Sequence, residues 1–179
     1  MLNIFYVKNK KGFSLIELMV VVVILSLIIL GLVTFFTGGV RSWITGQNQL
    51  SAQRNARQAM DWMVREIREG KNVTSGSDTT ITVSIPSLGG NPAYDVTFAL
   101  SGTTTIQRIK NSTSNPLIDN VLKVSGESIF KYYNSSGIGV NPPDSTVSKI
   151  HINLKVDVDK DSNPDITLNS DINLRNYGL

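Results

Sequence analysis

The sequence predicts an α+β protein in which one long N-terminal helix, apolar over its first half, packs on an antiparallel β-sheet domain. Three observations carry this. An uncharged, proline-free run extends from Leu18 to Phe36. A stripe of apolar residues at three- and four-residue steps follows over residues 47–69. Beyond Gly70 the composition turns to Ser, Thr, Asn, Gly and β-branched residues in short alternating runs.

The first run decides the topology. Its 19 residues contain only Ser26, Gly31 and Thr34 among aliphatic and aromatic side chains. As a helix they rise about 28 Å, close to the hydrocarbon thickness of a bilayer. Lys8, Lys10 and Lys11 stand just before Gly12, and such a basic flank stays on the cytoplasmic side. Everything after Phe36 is therefore expected outside the cytoplasmic membrane. An ordinary secretory signal fits poorly, because its apolar region is shorter and ends at small residues of the Ala-x-Ala kind. Thr37-Gly38-Gly39-Val40 offers no such pattern. Glu17, the one ionisable residue between Gly12 and Phe36, calls for a partner, since intramembrane carboxylates are costly.

Lys10-Lys11-Gly12-Phe13-Ser14-Leu15-Ile16-Glu17-Leu18 resembles the class III prepilin signal of type IV pilins and type II secretion pseudopilins. The resemblance implies a pilin-like fold and cleavage by prepilin peptidase between Gly12 and Phe13. It also implies methylation of the Phe13 amine. Glu17 would then face the N-terminal amine of a neighbouring subunit, an attraction strengthened by the low dielectric of a filament core. The expected organisation is a leader over 1–12, a membrane-spanning and filament-core half-helix over 13–36, an amphipathic half over 37–69 and an extracytoplasmic β-domain over 70–179.

Composition narrows the function further. The 179 residues carry a formal net charge of +3, with 17 basic and 14 acidic side chains. Three of the 17 lie in the leader, leaving 14 against 14 in the mature chain. The basic excess is a topology signal and no nucleic-acid partner is predicted. There is no cysteine, so neither disulfides nor thiol chemistry are available. Many pilins of Gram-negative species carry a C-terminal disulfide loop, and this chain departs from them. Thr34 also stands where many shaft pilins have proline.

Gly38, Gly39 and Gly46 are weak helix formers and predict a loosened turn after the apolar run. Leu50, Ala52, Ala56, Ala59, Met60, Met63, Val64 and Ile67 then form the amphipathic stripe, with Arg54, Arg57, Asp61, Arg65 and Glu66 largely between them. Trp62 is assigned to core packing, and the arginines to a solvated or subunit-facing surface. Gly70 marks the helix end. About seven strands are expected, including 81–85, 94–100, 121–124, 129–133, 150–158 and 166–174. Pro86, Gly89-Gly90, Asn91-Pro92, Asn115-Pro116, Pro142-Pro143 and Asn163-Pro164 are read as turns. The order of segments around Tyr94, Ile106-Gln107-Arg108, Ile118-Asp119-Asn120-Val121, Phe130-Lys131-Tyr132-Tyr133 and Asn173-Leu174-Arg175-Asn176 resembles PilW-type minor pilins and J-type minor pseudopilins.

Catalytic motifs are missing. His151 is the single histidine and alternates onto the polar face with Asn153 and Lys155, so no zinc set is expected. No nucleophile elbow, phosphate-binding loop or His-Glu-x-x-His pattern occurs, and the chain reads as a peptidase substrate rather than an enzyme. No cofactor is called for. One cluster has metal-like spacing: Asp157, Asp159, Asp161 and Asp165 offer hard oxygens that suit calcium. The loop lacks the EF-hand glycine and glutamate, and a polar hairpin turn explains it as well. The functional expectation is a minor pilin that joins other pilins through its helix and helps start assembly at a filament tip. The alternatives are a secretion pseudopilin and a binding or adhesion module at the tip.

Overall fold

The computed structural model describes residues 12–87 and 89–178. It contains one helix, α1 (Leu15–Arg68), and eight strands: β1 (Asn72–Gly76), β2 (Thr80–Ile85), β3 (Tyr94–Ser101), β4 (Thr105–Lys110), β5 (Thr113–Ile118), β6 (Phe130–Asn134), β7 (Val147–Val156) and β8 (Ile166–Asn173). The chain divides into two units, Met1–Gly46 and Gln47–Leu179.

In the first unit every residue from Phe13 to Thr45 is exposed. The mean hydropathy of its most apolar window is 3.1, high enough for a membrane span. Three of its hydroxyls are satisfied locally. The Ser26 hydroxyl donates to the Val22 carbonyl at 2.7 Å, and Thr34 and Thr37 donate one turn back in the same way. No hydroxyl of these three is left needing water, the condition an apolar solvent imposes. The loosened turn expected at Gly38, Gly39 and Gly46 is not found: all three are helical. At about 1 kcal/mol each, isolated glycines are too weak to break a run of good helix formers.

In the second unit, β1 to β5 form one antiparallel sheet in sequence order, and β6 to β8 form another. Alternation sets the faces. Ile81, Val83 and Ile85 of β2 are buried, and Ile81 and Val83 pair with Phe98 and Val96 of β3. Ile150, Ile152, Leu154 and Val156 of β7 are buried too, and Ile150 faces Ile172 of β8. Against these faces lie Ala56, Ala59, Met60, Met63 and Ile67 of α1, all buried in the same core. The helix then stops within one turn. Gly70 N–H donates to the Ile67 carbonyl at 3.0 Å, and a Cβ on Gly70 would lie 2.3 Å from Val83 Cγ1. Glycine is needed here for the close approach of the helix end to β2.

Several expectations are corrected. The strand at 121–124 does not form: only Val121 makes an isolated bridge, to Val156. Lys123 is instead drawn to Asp78 at 3.0 Å and to the Glu127 carbonyl, and these ties hold the segment as a loop. Asn115-Pro116 is not a turn but part of β5, the edge strand of its sheet. An edge position tolerates a residue with no N–H to give to the ladder. β1 was not anticipated, and 105–118 forms two paired strands. Leu50 and Trp62 are 63 % and 55 % exposed, so neither belongs to the core stripe.

The two sheets are tied by Tyr132 of β6. Its hydroxyl lies 2.9 Å from the Ser77 carbonyl and 2.7 Å from that of Thr80, across on the β1–β2 turn. Burial pushes this phenol well above its ordinary ionisation range. Its contribution to stability is therefore complete below about pH 10, where the unfolded phenol is still neutral, and is lost as pH rises toward the folded value. Tyr132→Phe is expected to cost about 1 kcal/mol at neutral pH. It should also flatten the alkaline decline in stability, measured by denaturant unfolding of the wild type and variant across the alkaline range.

Candidate functional site

The residues of the class III signal open the described chain. Gly12, Phe13 and Ser14 precede the helix. A Cβ placed on Gly12 would meet nothing within 4 Å, and Phe13 is 83 % exposed. The Gly12–Phe13 peptide bond thus lies in open, non-helical backbone. The first turn begins immediately afterwards, with Glu17 and Leu18 N–H groups donating to the Ser14 carbonyl at 3.1 and 3.2 Å. Glu17 sits in that turn, where a carboxylate also complements the positive end of the helix dipole. It makes no side-chain hydrogen bond or ion pair among the described residues. Lys8, Lys10 and Lys11 lie outside the described residues.

The acidic loop between β7 and β8 brings Asp157, Asp159 and Asp165 together, with one carboxylate oxygen of each within 4.8 Å of the others. Asp161 does not join that group. Its two oxygens accept from Asn163, from the backbone N–H at 2.7 Å and the amide at 3.1 Å, and these bonds hold its carboxyl below the usual range. Asp157 is buried, and its oxygens accept from Lys160 N–H at 2.7 Å and Ser162 N–H at 2.9 Å. Both donors have positive φ, 62° and 71°. Asp165 accepts from Val158 N–H at 2.7 Å. Partial desolvation, with its acidic neighbours Asp161 and Asp165, pushes the Asp159 carboxyl up. Three carboxylates could offer oxygens to a divalent cation, while the hydrogen bonds are those of a self-capped polar turn.

One feature escaped the sequence reading. Glu66 of α1 takes a bidentate grip from Arg108 of β4: Nε to Oε2 at 2.7 Å and Nη2 to Oε1 at 2.5 Å. Tyr94 adds its hydroxyl to the same carboxylate at 3.2 Å. The Arg108 side chain is only 17 % exposed and that of Glu66 11 %. The Glu66 hydrogen bond raises the Arg108 pKa further. A signal existed. Arg108 follows Ile106 by two residues on β4 and so shares the inward face, where a cation requires a counter-charge. His151 falls as expected on the outer face, where its Nδ1 lies 2.6 Å from Asp171, its cross-strand neighbour. Asp171 also pairs with Lys149 at 3.0 Å.

Asp157→Ala would strand two backbone N–H groups beside a buried site, at an expected cost of about 2 kcal/mol. Asp161→Ala, in an exposed position, should cost under about 0.5 kcal/mol. Denaturant midpoints of the two variants of the full chain in detergent micelles check the difference.

The family model for the prokaryotic N-terminal methylation motif matches residues 7–33. No curated protein and no solved structure matches the chain. The motif makes the chain a substrate type of prepilin peptidase, and with the exposed apolar helix it fits anchoring in the cytoplasmic membrane. The chain thus carries the N-terminal methylation motif of type IV pilins and pseudopilins at the start of one long helix that leads into antiparallel sheets, a pilin-like α+β architecture.

Proposed function

We propose that the protein is a minor pilin, a structural subunit that enters a type IV pilus through α1 and helps prime assembly at the filament tip. The observation that carries this is the helix from Leu15 onward: apolar, uncovered by its own chain as far as Thr45, and marked by a single carboxylate, Glu17, in its first turn. A surface of that kind is covered first by lipid and then, in a filament, by equivalent helices. Prepilin peptidase cuts between Gly12 and Phe13 while the Lys8–Lys11 flank stays cytoplasmic, and the Phe13 amine is methylated. Glu17 pairs with the N-terminal amine of a neighbour, which gives the carboxylate its counter-charge once water is excluded. The minor assignment rests on the order of β-domain segments, which resembles PilW-type minor pilins.

Mass spectrometry of filaments sheared from the cell surface is expected to find a peptide beginning at methylated Phe13, at a small fraction of the main subunit. Dominance of that peptide would make the chain a shaft subunit. Its confinement to the membrane fraction would favour the secretion pseudopilin.

Glu17→Ala is expected to insert and be cleaved normally but to enter filaments poorly, with recovery in sheared filaments down about tenfold or more. Unchanged recovery, read by immunoblot against the membrane-bound pool, would refute the Glu17–amine pair.

A further inference from the structure

The helical residues of the second unit fall into three stripes at three- and four-residue steps. One is the buried stripe of Ala56, Ala59, Met63 and Ile67. A second carries Arg54, Arg57, Asp61, Arg65 and Arg68, all exposed. The third carries Asn48, Ser51, Asn55, Gln58 and Trp62 and forms one wall of a groove whose other wall is β5 and the residues after it. Two adjoining depressions, of about 550 and 430 Å³, share Asn55, Pro116 and Leu117 and make up the groove.

From this groove we infer a binding site for a neutral saccharide, with Trp62 as the stacking platform. The indole is 55 % exposed beside Pro116 and Leu117 and presents an apolar plate at the rim of a polar groove. The C–H face of a pyranose suits such a plate, because it removes apolar surface from water without stranding a polar group. Three amides, Asn55, Gln58 and Asn115, line the same depression as Trp62, and Asn48 and Asn120 continue the row in the adjoining one. None makes a side-chain hydrogen bond among the described residues. An amide both donates and accepts, which matches sugar hydroxyls, since they do the same.

Charge and backbone chemistry narrow the occupant. The groove's formal charges are balanced: Arg108 is neutralised by Glu66, Asp119 and Lys160 contribute one charge of each sign to the lining, and Asp119 accepts from the Thr105 hydroxyl at 2.8 Å. No excess of either sign selects an anionic or cationic ligand. Strand addition along β5 is opposed by Pro116, which interrupts the row of edge donors. An apolar helix laid in the groove would desolvate five amides without satisfying them. A polyhydroxylated ligand of two or three sugar rings fits the volume and the lining. The site lies wholly within residues 48–160, so it does not depend on how the N-terminus of α1 is processed.

The test uses the full chain in a sugar-free detergent, in a Trp43→Phe background so that Trp62 alone reports. Cellotriose, chitotriose and maltotriose are titrated while indole emission is followed. At least one should shift the emission saturably, and Trp62→Ala, followed by isothermal calorimetry, should weaken that binding by about tenfold or more. Asn55→Ala, at an exposed position, should weaken it as well, and Trp62→Phe should restore part of it. Unchanged circular dichroism shows that the variants fold. No saturable response to any of the three at millimolar concentration would overturn the inference, as would binding indifferent to Trp62→Ala. A photoreactive side chain at position 58 that cross-links to another subunit in filaments would also overturn it, by making the groove a subunit interface.

Discussion

A helix that its own chain leaves uncovered from Leu15 to Thr45 is the constraint on which the rest depends. Exposing that surface to water costs a large free energy, at roughly 25 cal/mol per Å² of apolar area. The surface must therefore sit in lipid or against other helices. This requirement explains the local character of the first unit. The hydroxyls of Ser26, Thr34 and Thr37 bond back to the preceding turn, and its one carboxylate stands at the N-terminal end. A chain built for water would have none of these needs.

The second unit meets a different constraint. Only one stripe of the helix is used to close the core, through two alanines, two methionines and Ile67. Alanines let the sheets approach, and methionines fill irregular space. Two specific ties then fix the geometry. Glu66 and Arg108 join the helix to β4, and Tyr132 joins β6 to the turn between β1 and β2. Both ties are polar, partly buried and satisfied, and such contacts specify one arrangement more strongly than apolar packing does.

The membrane segment was legible because its signal is compositional and needs no partner. The strands with clean alternation, β2, β3, β7 and β8, were legible for a similar reason: burial on one face writes itself into every second residue. Where the reading went wrong, long-range contacts decided. Val121 to Val124 alternates poorly, and Lys123 is held by Asp78 and by the Glu127 carbonyl, neither visible as a local pattern. Pro116 read as a turn because proline usually breaks strands, yet at the sheet edge its missing N–H costs nothing. Trp62 was assigned to core packing, but its angular position on the helix lies outside the buried stripe. Among the acidic candidates, three of four carboxylates converge while Asp161 is turned to Asn163. Sequence spacing alone does not separate those cases.

The partition of one helix into a buried, an arginine-bearing and an amide-bearing stripe has an evolutionary consequence. The positions that hold the fold and the positions that face outward are different residues of the same turns. Substitutions at Arg57 or Gln58 leave Met60 and Met63 in place, so the outward faces of the helix can change without the core being rebuilt. A lineage can thus diversify what this helix presents while every variant still folds on the same scaffold.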